Sequence, residues 1–157
     1  MDEPDDIAQI REDFIERIGV MVQGEGFPRI AGRVLATLVF DGERASFGEL
    51  AEGLGVSRGS ISSSVRLLED REIIRRVAKP GDRQDYFEMS EDAFVNLIEN
   101  SANRARRAGK EIATTLHRLP QSQSGAHARL TTYADFYDEI AVALSEAAER
   151  MRHRGQA

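Results

Sequence analysis

The sequence predicts a mainly α-helical protein with one small β-hairpin and a long helical C-terminal region. Three observations lead there. Apolar residues recur at steps of three and four along most of the 157 residues, which is the helical period. That period gives way to an extended pattern only between Ile73 and Met89. Past the hairpin, two long seams repeat in heptads. A chain of this length holds one compact domain, or a small domain with an extension.

The first helix is marked by Ile7, Ile10, Phe14, Ile18 and Met21, and Gly24-Glu25-Gly26 ends it. Pro28 opens a second helix, where a missing N–H costs nothing. It carries Ile30, Val34, Leu35, Leu38 and Val39 and stops near Asp41-Gly42. Ser46 with Glu49 three residues on is a capping box for a short third helix through Leu54. Gly55 stands where a left-handed backbone is needed. Ser57 caps a fourth helix with Ile61, Val65 and Leu68 inward. Ile73–Val77 and Tyr86–Met89 read as strands, and Lys79-Pro80-Gly81-Asp82 between them has turn chemistry. Ser90, followed by Glu91 and Asp92, starts a long fifth helix.

In that helix Ile98, Ala102, Ala105, Gly109, Ile112, Leu116 and Leu119 form one seam. After a break at residues 120–125, Leu130, Tyr133, Tyr137, Ile140, Leu144, Ala147 and Met151 form another. Such seams pack lengthwise on other helices, and so small a chain has few to offer, so a homodimer is the expected use of the surplus. An intramolecular hairpin over the first helix is the alternative. The expected organisation is therefore an N-terminal packing and dimerisation helix over 1–25, a central helix-and-hairpin domain over 26–90 and a C-terminal helical dimerisation region over 91–157.

Net charge is −6, but it is unevenly spread. Residues 1–56 carry five basic and twelve acidic side chains, residues 57–83 seven and four, and residues 84–157 nine and eleven. One short window is positive, and screening limits each charge to a reach of about 8 Å, so that window matters more than the total. The absence of Cys excludes a disulfide scaffold and a thiolate metal site. No uninterrupted apolar run is long enough to span a membrane. The acidic start, Met1 to Asp6, is unlike a signal peptide, so a cytoplasmic location is expected.

Residues 47–66 carry the most informative pattern. Leu50 and Leu54 face the core, Ala51 is small where two helices cross, Gly55 makes the turn, Val56 fills the gap below it and Ile61 packs the second helix on the first. This is helix-turn-helix spacing, in which the second helix enters the major groove of double-stranded DNA. Its outward face offers Arg58, Ser62, Ser63 and Arg66, with Ser57 and Ser60 at the N-terminal end. Short hydroxyls permit close approach, arginines take phosphate or guanine, and helix N–H groups favour phosphate. For Ser57, capping alone is an equally good reading. Lys79, Arg83 and the strand residues Arg75 and Arg76 add a basic cluster around the hairpin turn, from which Arg83 can enter a minor groove. Asp82 either holds Arg83 extended or simply forms the turn.

The order helix, helix, helix-turn-helix, hairpin wing, long helix resembles the winged helix-turn-helix regulators of the MarR superfamily. Gly26-Phe27-Pro28-Arg29-Ile30-Ala31-Gly32-Arg33, Leu50 through Ser62, and Pro80-Gly81-Asp82-Arg83-Gln84-Asp85-Tyr86-Phe87 look like its GbsR branch. The resemblance covers about residues 5–110 and implies a bacterial, dimeric transcriptional regulator. A small-molecule effector of unknown identity is a possible further partner. Tyr133, Phe136 and Tyr137 could line its pocket, although aromatic residues at this spacing are more often core.

No nucleophile elbow, phosphate-binding glycine loop or catalytic carboxylate pair is present, so no enzyme activity and no cofactor are expected. His117, His127 and His153 lack metal-ligand spacing, and His127 and His153 read as solvent-facing. Arg104, Arg106, Arg107 and Lys110 read as a solvated stripe. The competing functional reading is a winged helix that docks a protein and never binds DNA.

Overall fold

In the computed structural model the described residues, 4–155, form six helices and one three-stranded sheet. Met1–Glu3, half of the acidic start, lie outside them. The elements are α1 (Pro4–Gly24), α2 (Arg29–Asp41), β1 (Ala45–Ser46), α3 (Phe47–Leu54), α4 (Arg58–Asp70), β2 (Ile74–Ala78), β3 (Asp85–Met89), α5 (Ala93–Arg118) and α6 (Ser124–Gly155). They divide into two compact units, residues 1–93 and 94–157. The mainly α fold with a hairpin wing stands as expected.

The first unit closes around large apolar side chains. Phe87, Leu38, Leu50, Ile61, Leu68 and Ile73 are all fully buried. They come from the sheet, from α2 to α4 and from the link into β2, so every element contributes its apolar face to one core. The sheet order is β1-β3-β2, antiparallel throughout. Ala45 pairs with Phe87 and Ser46 with Tyr86, which ties the base of the hairpin to the start of α3. This third strand was not expected, because two residues carry no legible period.

The inward face of α1 differs from the apolar stripe that marks it. Ile15 and Val22 are buried, whereas Ile7, Ile10 and Met21 are more than half exposed. Phe14 and Ile18 are half-buried. The reason is the close crossing of α1 and α2 at glycines. A Cβ added to Gly32 would stand 3.0 Å from Gly19 Cα and 3.0 Å from Val22 Cβ. The glycine face gives the closest backbone approach, and α1 turns it toward α2. At the other end of α2, Val39 and Phe40 are exposed rather than inward.

The second unit is an antiparallel pair, α5 and α6. Arg106 donates to Ser145 Oγ, Arg152 pairs with Glu99 at 3.2 Å, and His127 bonds the Leu119 carbonyl at 3.1 Å. His127 is thus half-buried at the turn rather than solvent-facing. Ala102, Ala105 and Gly109 of the expected α5 seam are buried. On α6 the buried line is Ala134, Ala141 and Ala148, beside the expected seam, while Tyr133 and Met151 are exposed. Small residues won the contact: a Cβ on Gly109 would lie 3.8 Å from the Ala134 carbonyl oxygen. Tyr133 and Phe136 are 49% and 54% exposed, so they are not core of the single chain.

Candidate nucleic-acid interface

The helix-turn-helix is built by local chemistry. Ser46 Oγ accepts from the Glu49 N–H at 3.3 Å, and Glu49 Oε2 accepts from the Ser46 N–H at 2.7 Å. The capping box is complete, and hydrogen bonding to the carboxylate, first from the Ser46 backbone N–H and then from the Ser46 side chain, holds the Glu49 carboxyl below its ordinary value. Gly55 takes φ 62°, and its neighbour Val56 donates back to the Ala51 carbonyl at 3.1 Å. Arg33 of α2 reaches the same corner, donating to the Leu54 carbonyl at 3.1 Å while its Nε lies 2.6 Å from Glu16 of α1.

Along α4, Arg58, Ser62 and Arg66 stand four residues apart and so share one ridge. Arg58 and Arg66 are exposed and Ser62 is half-exposed. The expected serines do not all behave alike. Ser57 Oγ accepts from the Ser60 N–H at 3.1 Å and lies 3.0 Å from Ser60 Oγ, so both hydroxyls belong to the cap. Ser63 donates to the Gly59 carbonyl at 3.1 Å. Among the described residues Ser62 has no hydrogen-bond partner and Arg58 and Arg66 no carboxylate partner. Ser64 is buried, which assigns the opposite side of α4 to the core. Arg58 lies across the start of α3, its Nη2 3.6 Å from where a Gly48 Cβ would stand.

The wing turns at Lys79–Asp82, with the Asp82 N–H donating to the Lys79 carbonyl at 3.0 Å and Gly81 at φ 80°. Pro at the second position and a positive φ at the third are what such a turn requires. Asp82 is a turn former rather than a brace for Arg83. Its Oδ1 accepts from the Gln84 N–H at 2.9 Å and its Oδ2 from the Tyr86 hydroxyl at 2.7 Å. The Gln84 N–H is the largest of the causes that pull the Asp82 carboxyl below its ordinary value, followed by the Tyr86 hydroxyl, and the same carboxylate raises the Tyr86 phenol. The Lys79 ammonium lies 5.7 Å from the centre of the Tyr86 ring. Arg83 is exposed and has no carboxylate partner among the described residues.

Arg75 and Arg76 do not join that cluster as expected. Arg75 pairs with Glu88 at 2.7 Å. Arg76 makes two bonds of 3.1 Å to Glu69, a third of 2.8 Å to Asp85, and lies 5.3 Å from the centre of the Phe87 ring. Glu69 raises its pKa further above the ordinary guanidinium range. One signal was available: adjacent strand residues point to opposite faces, so Arg75 and Arg76 cannot both face one partner. On α4 and the wing turn, Arg58, Arg66, Lys79 and Arg83 make no ion pair with a described carboxylate, two on the helix and two on the wing.

Residues 25–85, which include the helix-turn-helix and the wing turn, match the MarR family. The segment is thus similar to MarR-family regulators. The HTH-type transcriptional regulator MmpR5 of Mycobacterium tuberculosis is 41% identical over 84 residues, 53% of this chain and 51% of that protein. The HTH-type transcriptional repressor OpcR of Bacillus subtilis is 30% identical over 94 residues, 60% of this chain and 51% of that one. The chain thus spans about half the length of the curated relatives it matches. A crystal structure of a transcriptional regulator is similar over 91% of this chain and 98% of its own, with a TM-score of 0.77 at 28% identity. No described helix is long and apolar enough to cross a membrane.

Proposed function

We propose that this chain is a sequence-specific, DNA-binding transcriptional regulator that acts as a homodimer on a pseudo-palindromic operator. The observation that carries the reading is the ridge of Arg58, Ser62 and Arg66 on α4 together with Lys79 and Arg83 on the wing. These four cations have no carboxylate partner within the described residues, in a chain whose net charge is −6. Cations without an ion pair on two elements that reach adjacent grooves are what phosphate and base-edge contacts need. MmpR5, OpcR and the similar solved structure are all named as transcriptional regulators, and OpcR as a repressor, which favours repression by occlusion of a promoter. The Gly26–Arg33 and Pro80–Phe87 motifs favour the GbsR branch. A regulator of this kind works in the bacterial cytoplasm, where the DNA is.

A second copy is favoured by the apolar surface each unit leaves open. Ile7, Ile10 and Met21 on α1 and Phe136, Val142 and Met151 on α6 are all more than a third exposed. Two copies would set their α4 helices about 34–36 Å apart, one DNA turn. The Tyr133, Phe136 and Tyr137 rings, with centres 5.2 to 6.4 Å apart, are the surface a small effector would meet on α6.

Fluorescence anisotropy of the whole chain with genomic fragments around its own coding region, titrated across salt, tests the reading. Specific binding that survives competitor DNA, with a steep negative log–log salt slope, is expected. Arg58→Ala with Arg66→Ala is expected to abolish it. A fragment set and a genome-wide selection that both return no preferred duplex would transfer the fold to protein docking.

A further inference from the structure

Arg76 sits between the two elements that carry Arg58, Arg66, Lys79 and Arg83. It belongs to β2, the first strand of the wing, yet two of its bonds go to Glu69 in the last turn of α4. Its third bond goes to Asp85, its diagonal neighbour at the start of β3, and its guanidinium lies against the ring of its direct cross-strand partner Phe87, a fully buried core residue. One planar group thus spans helix, wing and core. Only Arg can do this, because the fork geometry supplies parallel donors to one carboxylate and leaves another for a second. The side chain is 47% exposed, so as an ion pair it contributes little to stability. Its position therefore has to be explained by what it holds in place.

We propose that Arg76 is a positioning residue that locks the wing to the recognition helix, fixing the separation at which Arg58 and Arg66 on one side and Lys79 and Arg83 on the other meet DNA. The proposal rests on the DNA-binding reading above. A wing free to swing must be ordered on each binding event, and that ordering costs affinity for the one duplex whose grooves fit both elements. A random duplex, held by phosphate contacts in many arrangements, does not require the fixed separation. Glu69 and Asp85 are the other members of the clamp.

The test is anisotropy of the whole protein with its selected operator and with a random duplex, across salt, for wild type, Arg76→Lys, Arg76→Gln, Glu69→Gln and the Arg76→Lys/Glu69→Gln pair. Wild type must first discriminate the two duplexes; if it does not, the DNA reading itself fails, independently of Arg76. Given discrimination, Arg76→Lys and Glu69→Gln are each expected to weaken operator binding about five- to tenfold, as expected of partners in one ion-pair network, and the pair no more than either alone. Random-duplex affinity and the salt slope should stay as in wild type, and thermal unfolding should move little. Two results overturn the proposal. The first is operator binding unchanged in Arg76→Lys. The second is Glu69→Gln binding both duplexes as well as or better than wild type while Arg76→Gln lowers the salt slope by about one, which would make Arg76 a phosphate contact.

Discussion

The two units bury different kinds of residue. In residues 1–93 the fully buried side chains include Phe87, Leu38, Leu50 and Ile61, and the Phe87 and Phe47 rings meet edge to face at 4.9 Å. In residues 94–157 the buried residues are Val95, five alanines and Gly109, while Phe94, Tyr133, Phe136, Val142 and Met151 stay exposed. Free energy from burial scales with the apolar area removed from water, so alanine contacts supply little of it. The first unit thus carries a core of its own. The second has helix geometry and close approach but keeps its large apolar side chains on the outside, the surface on which the proposed homodimer would form.

That contrast can be broken at its strong end first. Phe87→Ala removes the largest fully buried side chain of the first unit and should cost about 3–5 kcal/mol in chemical denaturation. Loss of under 1 kcal/mol would mean that the sheet–helix core is not where this unit's stability lies. Phe136→Glu should leave the first unit's unfolding unchanged yet weaken self-association about a hundredfold, on the scale of an interface anchor. Sedimentation equilibrium reads this, and an unchanged dimer constant would place the second copy on another surface. Gly32→Ala presses a methyl to within 3.0 Å of Gly19 Cα at the α1–α2 crossing and should cost about 1–3 kcal/mol. A neutral Gly32→Ala would show that α1 shifts freely on α2.

The smallest effect belongs to pH and is read at the wing. The Gln84 N–H and Tyr86 hydroxyl bonds lower the Asp82 pKa in the folded state. A depressed carboxyl favours folding above its unfolded value, near 3.9, and that contribution is lost as pH falls through the folded value. The Gln84 amide resonance should therefore shift below about pH 4, and Asp82→Asn should remove the shift. The recognition-helix amides should not follow it.

Much of the first unit was legible because its signals are local. Ser46 with Glu49, Gly55, Ser57 and Pro80-Gly81 each act on backbone groups within a few residues, so their bonds stand where the spacing placed them. The ridge of Arg58, Ser62 and Arg66 was visible for the same reason, since helical period alone puts these residues on one side. The hydroxyls of Ser57, Ser60 and Ser63 were harder, because a serine that caps or bonds back to its helix has the same letter as one that faces a ligand.

What the amino-acid order settled by itself is the set of elements: where helices begin and end, where the hairpin turns, and which residues line each helical stripe. What tertiary structure decided is which stripe turns inward and which charge finds a partner. α1 presents Ile15, Gly19 and Val22 to α2 rather than Ile7, Ile10 and Met21, and α6 buries Ala134, Ala141 and Ala148 rather than its larger seam. Arg76 is held by Glu69 and Asp85, while Arg58 and Arg66 remain unpaired by any described carboxylate. The physical reason is range. Caps and turns are short-range backbone bonds, whereas helix faces and ion pairs are selected by close approach between segments that the period of one segment cannot see.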